Sequence, residues 1–219
     1  MNSDVVAGAA PYTKSTLMLY DLFVLHFAAR FVWGCPATKI TDFYTENVSS
    51  NHLDVGVGSG YHLKKCTFPV PSPQVTLMDL NPNSLNKTSR RLKDCHIQTH
   101  VGNVLEPQGN GLETFDSIAP NYLLHCLPGT FREKGVVFRN LYDHLNPGGV
   151  LFGTTILGQG VPKSAMGLRM QRRFNDQKVF SNDGDNLDDL NDALAACFSD
   201  FETEVCGAVA FFKGVKHDA

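Results

Sequence analysis

The chain has 219 residues, of which 42% are hydrophobic and 10% aromatic, so it can bury the core of one large domain. Its formal net charge of -3 argues against general affinity for nucleic acid or anionic lipid, which needs excess lysine and arginine. The six cysteines lie apart without paired spacings or clustered histidines, so we expect no metal and predict free thiols in a reducing, cytoplasmic compartment. Residues 1–15 lack the order of a signal peptide.

The first part of the chain is predicted to be helical. Residues 14–33 favour one helix and residues 38–47 favour a second, shorter one. The first helix approaches the length of a membrane span, but three polar residues interrupt it: Asp21, His26 and Arg30. We therefore expect no membrane insertion and interpret this segment as a buried or lid-forming helix.

From residue 52 onward, β-prone runs alternate with helix-prone segments. This order predicts a mostly parallel sheet covered by helices on both faces. The strands are predicted at residues 52–55, 75–79, 97–101, 115–119 and 150–156, and the helices at residues 61–66, 83–93 and 131–145. In such a sheet, ligands bind beyond the carboxyl ends of the strands.

The last part of the chain breaks the alternation. Residues 201–206 and 208–213 are β-prone and hinged at Gly207, which predicts a hairpin that adds an antiparallel strand to the sheet. Residues 158–191 are polar and too long for a bare loop, so we expect a cap. One domain then accounts for the chain, with a helical lid, a ligand-binding core, a cap insertion and a C-terminal hairpin at residues 1–48, 49–157, 158–195 and 196–219.

The strongest local signal follows the first predicted strand. Asp54 is followed by Gly56, Gly58 and Gly60, and glycines there let the backbone adopt a positive φ and approach a ligand closely. A dinucleotide pyrophosphate prefers G-x-G-x-x-G, whereas this G-x-G-x-G loop follows a carboxylate, which suits a cationic amino-acid ligand. Asp79 ends the second predicted strand, 25 residues after Asp54, where a carboxylate can accept hydrogen bonds from both hydroxyls of a ribose.

Together, the two acids and three glycines resemble the class I S-adenosylmethionine-dependent methyltransferases, and the small single-domain type in particular. The resemblance implies a doubly wound, Rossmann-like α/β fold that binds S-adenosylmethionine and releases S-adenosylhomocysteine. It implies that the loop starting at Asp54 meets the methionine moiety and that Asp79 binds the ribose. Leu80 matches an apolar residue that packs on the adenine. Asn103 stands where the family commonly has an aspartate that accepts from the adenine amino group, and its side-chain carbonyl can still do so.

The segment after the fourth predicted strand matches the part of the family fold beside the sulfonium. The resemblance implies that Asn121 contacts the cofactor and Tyr122 the substrate. A hydroxyl acceptor benefits from a general base, and His125 is the candidate for it, with a structural role as the open alternative. His62, just past the glycine loop, is more typical of a helix start than of a base.

Two further groups are candidates for ligand contact. In the N-terminal segment, Tyr12, Tyr20 and Trp33 could close over the ligand, with Tyr20 against the sulfonium, although core packing explains such aromatic residues too. Arg169 and Arg173 belong to a basic, partly apolar helix that could receive an acidic or aromatic substrate, although an ordinary amphipathic helix has the same pattern.

These features predict methyl transfer from S-adenosylmethionine to an oxygen, nitrogen or sulfur atom of a small organic molecule, typical of secondary metabolism. We expect a monomer or homodimer that acts on a small-molecule acceptor without nucleic acid or membrane. Two alternatives remain open on the same scaffold. One is a cyclase or pericyclase in which the sulfonium acts only as a fixed charge, and the other is a regulatory protein that binds the ligand without turnover.

Overall fold

The structure is a computed structural model that describes residues 32–217. Most of the helix predicted at residues 14–33, together with Tyr12 and Tyr20, lies outside the described residues. None of the helices within residues 32–217 combines the length and apolar character that crossing a bilayer requires.

Within residues 32–217, seven strands form one mixed sheet in the order β3-β2-β1-β4-β5-β7-β6. They are β1 (Asn51–Val55), β2 (Gln74–Asp79), β3 (His96–Val101), β4 (Phe115–Ala119), β5 (Leu145–Ile156), β6 (Asp200–Cys206) and β7 (Val209–Val215). The pairs among β1 to β5 are parallel, whereas β7 runs antiparallel to both β5 and β6. The predicted mostly parallel sheet with an antiparallel C-terminal hairpin is confirmed.

Helices cover both faces of this sheet. They are α1 (Ala37–Asn47), α2 (Tyr61–Lys65), α3 (Pro82–Arg91), α4 (Phe131–Lys134), α5 (Val136–Tyr142), α6 (Ala165–Asp176) and α7 (Leu187–Ala195). The side chains of Tyr44, Leu63 and Leu85 bring α1, α2 and α3 onto one face. Phe138 and Leu190 bring α5 and α7 onto the other. The buried central strands are therefore shielded on both sides, as a doubly wound fold requires.

The helix predicted at residues 131–145 is divided in the structure. Gly135 separates α4 from α5, and a Cβ there would lie 2.5 Å from Phe131 O and 3.0 Å from Ala193 Cβ of α7. The break thus lets α7 pack closely. The following strand also starts earlier than residue 150, because Leu145 already pairs with Phe115 before an irregular register shift.

Candidate active site

Two adjoining spaces open at the carboxyl ends of the parallel strands, where the strand order reverses between β1 and β4. The first, here called the Asp79 cleft, is lined by residues that include Gly56, Gly58, Asp79, Leu80, Asn103 and Tyr122. The second, here called the His62 cavity, is lined by residues that include Tyr44, Asp54, Gly60, His62, Asn121 and Tyr122. Gly56, Gly58 and Tyr122 border both, so the glycine loop and one aromatic ring lie between the two spaces.

The three loop glycines all have positive φ angles, of 68°, 49° and 66° in chain order. A Cβ on Gly56 would lie 2.6 Å from Leu123 Cδ1, and one on Gly60 would lie 2.5 Å from Thr88 Cγ2. These positions therefore require glycine for their backbone conformation and for the close approach of neighbouring elements. The Gly56 N–H also donates to Met78 O at 2.8 Å, which holds the loop against the end of β2.

The Asp79 carboxylate is oriented by two backbone donors. Asn81 N donates to Oδ1 at 2.8 Å and Gly58 N donates to Oδ2 at 3.3 Å. Burial raises the pKa of Asp79 to about 6, and these two hydrogen bonds oppose the rise. The group is thus largely ionised at neutral pH and retains lone pairs for further donors. A carboxylate in this state can accept hydrogen bonds from a vicinal diol.

Asp54 borders the His62 cavity together with the three loop glycines. It is 5% exposed, and the Tyr44 hydroxyl of α1 donates to its Oδ2. His52 Nε2 lies 3.8 Å from the same oxygen. The sequence analysis did not identify Tyr44 in this role, because a tyrosine on the buried face of a helix is typical of core packing.

Tyr44→Phe is expected to lower the free energy of unfolding by about 1 kcal/mol, because the buried Asp54 oxygen loses a donor while the ring packing stays. Urea denaturation of the two proteins measures this difference. Tyr142→Phe is the control, because Tyr142 contacts Phe198 and Lys216 through its ring, and we expect little change. Equal losses in both variants would contradict a specific contribution of the Tyr44 hydroxyl.

Asn103 borders the Asp79 cleft, but its amide already has partners. Its Oδ1 accepts from Leu105 N at 3.1 Å, and its Nδ2 donates to Glu106 Oε1 at 2.9 Å. One lone pair of Oδ1 is left for a ligand donor. The predicted contact with the adenine amino group therefore stays a prediction. In the structure, the amide of Asn103 is held by hydrogen bonds within its own turn.

Asn121 and Tyr122 follow β4 and are fixed against β5. Thr154 Oγ1 donates to Asn121 Oδ1 at 2.6 Å, and Tyr122 N donates to Thr154 O at 2.8 Å. Tyr122 has a φ of 53°, which is uncommon for a residue with a side chain. This conformation lets its ring stack on His62, with ring centroids 6.2 Å apart.

His125 is buried behind this segment and is not among the described residues that line either space. Its Nδ1 accepts from Ile156 N at 3.3 Å, and its ring meets Phe180 edge to face with centroids 4.6 Å apart. Burial lowers the pKa of His125 to about 3. These contacts match the structural alternative for His125 better than the role of a base.

The other predicted substrate contacts within the described residues also lie away from the two spaces. Trp33 is 2% exposed and packs against Phe180, with centroids 6.0 Å apart. Arg169 and Arg173 are exposed on α6 and line neither space. The structure thus brings the glycine loop, both acids, Asn121 and Tyr122 together, but not these three residues.

The sequence analysis missed the apolar wall of the Asp79 cleft. This wall is formed mainly by Val104, Leu123, Leu127 and Pro128. Nothing in a single sequence distinguishes such residues from ordinary core. Cys126 also borders the cleft, and burial raises the pKa of its thiol to about 12, so it is a neutral thiol rather than a nucleophile.

The cleft at the strand reversal, the glycine loop and the two acids define an enzyme of the Rossmann-like, nucleoside-cofactor class. The family model for a methyltransferase domain matches residues 53–151. The chain is 41% identical to a demethylluteothin O-methyltransferase of Streptomyces thioluteus, covering 97% of this chain and 93% of that protein. It is 36% identical to a physcion biosynthesis cluster O-methyltransferase of Aspergillus chevalieri, covering 95% of each. The chain therefore belongs to the class I S-adenosylmethionine-dependent methyltransferases.

Solved structures share this fold at low sequence identity. The N-methyltransferase NodS of Bradyrhizobium japonicum, in complex with S-adenosylhomocysteine, matches with a TM-score of 0.59 and 17% identity over 83% of this chain and 85% of that chain. A Haemonchus contortus phosphoethanolamine N-methyltransferase, in complex with S-adenosylmethionine, matches with a TM-score of 0.68 and 16% identity over 100% of this chain and 61% of that chain. These likenesses support the fold assignment alone.

Proposed function

We propose that this methyltransferase transfers the methyl group of S-adenosylmethionine to a hydroxyl oxygen of a small organic molecule of secondary metabolism. The observation that carries the proposal is that the Asp79 cleft and the His62 cavity meet at Gly56, Gly58 and Tyr122. One cofactor can then span both spaces, with its nucleoside in the Asp79 cleft, its amino-acid tail in the His62 cavity and its sulfur beside the bare main chain that borders both. The choice of oxygen is supported by the two relatives described above, which are both named O-methyltransferases.

The residues of the Asp79 cleft fit the cofactor. In this proposal Asp79 accepts hydrogen bonds from the ribose hydroxyls, and Leu80 and Asn103 border the adenine. The methionine moiety lies along Gly56, Gly58 and Gly60, where a Cβ on Gly56 would already clash with Leu123. Asp54 and Asn121 lie on the side of the amino-acid tail. When bound, the cofactor supplies a methyl group activated by its sulfonium.

The proposed acceptor site is beside the ring of Tyr122, which borders both spaces. Tyr122 gives it an aromatic wall, and the ring of Tyr122 is held by its backbone bond to Thr154 and by its stack on His62. A planar acceptor could lie against such a wall. Because methyl transfer is an in-line displacement, holding the acceptor oxygen in line with the methyl carbon can supply much of the acceleration.

The proposed function is tested with methyl-labelled S-adenosylmethionine and a panel of acceptors. We expect label in methyl ethers of phenols or enols such as catechol, beta-naphthol and para-nitrophenol, identified by mass spectrometry and carbon NMR. Aniline, thiophenol and benzoic acid are the matched nitrogen, sulfur and carboxylate acceptors. Label on nitrogen or sulfur alone would contradict the choice of oxygen. Conversion of an acceptor without loss of the cofactor methyl group would support the cyclase alternative instead.

A further inference from the structure

Residues 33–35, just before α1, run antiparallel to the turn between β6 and β7. Ala208 N donates to Trp33 O at 2.7 Å. One residue further along each segment, Gly34 faces Gly207, and a Cβ on Gly34 would lie 3.3 Å from Gly207 Cα. A Cβ on Gly207 would lie 2.2 Å from Trp33 O. The two segments are therefore in direct backbone contact, which is possible because neither glycine has a side chain.

This register places two cysteines opposite each other. Cys35 follows Gly34 and Cys206 precedes Gly207, so they form the next facing pair after the two glycines. Cys206 Sγ lies 3.9 Å from Gly34 O, which brings this side chain onto the facing segment. Residues opposite each other in antiparallel segments have Cα atoms about 4.5–5.5 Å apart, and a disulfide usually needs about 4.4–6.8 Å. The backbone here thus already has the spacing of a disulfide.

The two thiols differ in exposure. Cys35 has no exposed surface, whereas Cys206 is half-buried. Burial raises the pKa of the Cys35 thiol to about 12, and its interaction with the Cys206 thiol adds to the rise, which the charge of Lys39 opposes. An oxidant from solution therefore meets Cys206 first, and Cys35 reacts only with its neighbour. A disulfide carries no charge, so burial does not disfavour it as it disfavours a thiolate.

We propose that Cys35 and Cys206 form a reversible, stabilising disulfide when the protein meets a low-molecular-weight disulfide such as oxidised glutathione. The Cys206 thiolate attacks one sulfur of the oxidant, which forms a mixed disulfide and releases one glutathione. The Cys35 thiolate then attacks the Cys206 sulfur and releases the second glutathione. The protein loses two protons and two electrons in total, and the oxidant is reduced to two thiols. In a reducing compartment, disulfides of this kind are typically transient and redox-sensing.

The bridge ties the start of α1 to the end of the edge strand β6. The loop that it closes contains β1 to β5, and in the chain-entropy model a long closed loop stabilises the native state most. Because the two cysteines already face each other, we expect little strain to oppose this gain. Neither cysteine borders the Asp79 cleft or the His62 cavity, so the inference does not depend on the proposed function.

The bond itself is tested on the full chain. The protein is incubated with oxidised glutathione, its remaining thiols are alkylated, and peptides are identified by mass spectrometry without reduction. We expect a cross-link between the peptides of Cys35 and Cys206 that dithiothreitol reverses. Cys35→Ser should stop the reaction at a glutathione adduct on Cys206. A lasting glutathione adduct on Cys206 of the wild type, a cross-link from Cys206 to another cysteine, or no reaction at Cys206 would overturn the inference.

The stabilising effect is tested by thermal unfolding followed by circular dichroism. We expect the Tm of the oxidised wild type to lie about 5–10 °C above that of the reduced protein, and to return on reduction. Cys206→Ser should show no rise after the same treatment. Cys197→Ser is the matched control and should show the full rise, because Cys197 is also half-buried but interacts with Arg139 and Asp143 rather than with a cysteine. A cross-link that leaves the Tm unchanged or lowers it would also overturn the inference, because the facing backbone would then not fit the bridge.

Discussion

Lys134→Ala is expected to lower the free energy of unfolding by about 3–5 kcal/mol, because it leaves a buried carboxylate without its cation. Lys134 in α4 has no exposed surface, and its Nζ donates to Asp185 Oδ2 at 2.6 Å and to Ser181 O at 2.8 Å. The side chain of Asp185 is 1% exposed. Removal of the lysine therefore leaves the charged Asp185 carboxylate buried without its counter-ion.

This ion pair joins α4 to the loop that supports the end of β5. The Asp185 carbonyl accepts from Gly158 N at 2.8 Å and from Gln159 N at 2.9 Å. Burial raises the pKa of Asp185 to about 6 and lowers the pKa of Lys134, and the attraction between the two opposes both shifts. The pair thus orders the segment between β5 and α7, and Cys126 and Pro128 of the cleft lie near its Ser181 end.

The difference is measured by urea denaturation at neutral pH, with circular dichroism as the signal for unfolding. Lys65→Ala, at an exposed position, is the control and should change the free energy of unfolding by less than about 0.5 kcal/mol. The double variant Lys134→Met with Asp185→Leu should recover most of the loss, because apolar pairs of similar volume can replace buried ion pairs. A Lys134→Ala protein as stable as the wild type would show that the charge of Asp185 is satisfied in another way.

Most of the sheet could be predicted, because its main strands and turns have local causes in the sequence. The glycines after residue 54 interrupt a buried run, and Gly207 separates two β-prone runs, so loop and hairpin were both visible in the sequence. The split at Gly135 was not visible, because it depends on the approach of Ala193 from a helix about sixty residues later. The early start of β5 likewise depends on a pairing partner in β4.

The candidate site could be predicted as far as residue type alone indicates chemistry. Asp54 and Asp79 are acids near the carboxyl ends of strands, and both border the spaces beside the glycine loop. The sequence analysis favoured His125 over His62 as a base from position alone, because residue type does not reveal how a histidine is bonded. Those contacts are long-range: Ile156 N donates to Nδ1 of His125, and Nδ1 of His62 lies 3.0 Å from Thr41 Oγ1.

Asp79→Ala is expected to weaken binding of S-adenosylhomocysteine by about 1.5–3 kcal/mol, or roughly 10- to 150-fold, because two hydrogen bonds to a charged acceptor are lost. Calorimetric titration measures the difference. Glu113→Ala is the control, because Glu113 is exposed and borders neither space. Affinity of Asp79→Ala equal to that of the wild type would contradict the assignment of Asp79 to the ribose.

The same carboxylate predicts how binding depends on pH. Ribose hydroxyls donate to the ionised form, so binding stabilises the carboxylate and lowers its pKa from about 6. Affinity should then be full above that pH and should fall as the pH drops below it, by up to about tenfold per pH unit. Calorimetry at about pH 5.5 in two buffers of different ionisation enthalpy should detect proton release on binding. Asp79→Asn should abolish both the release and the pH dependence, because an amide of the same shape cannot titrate there.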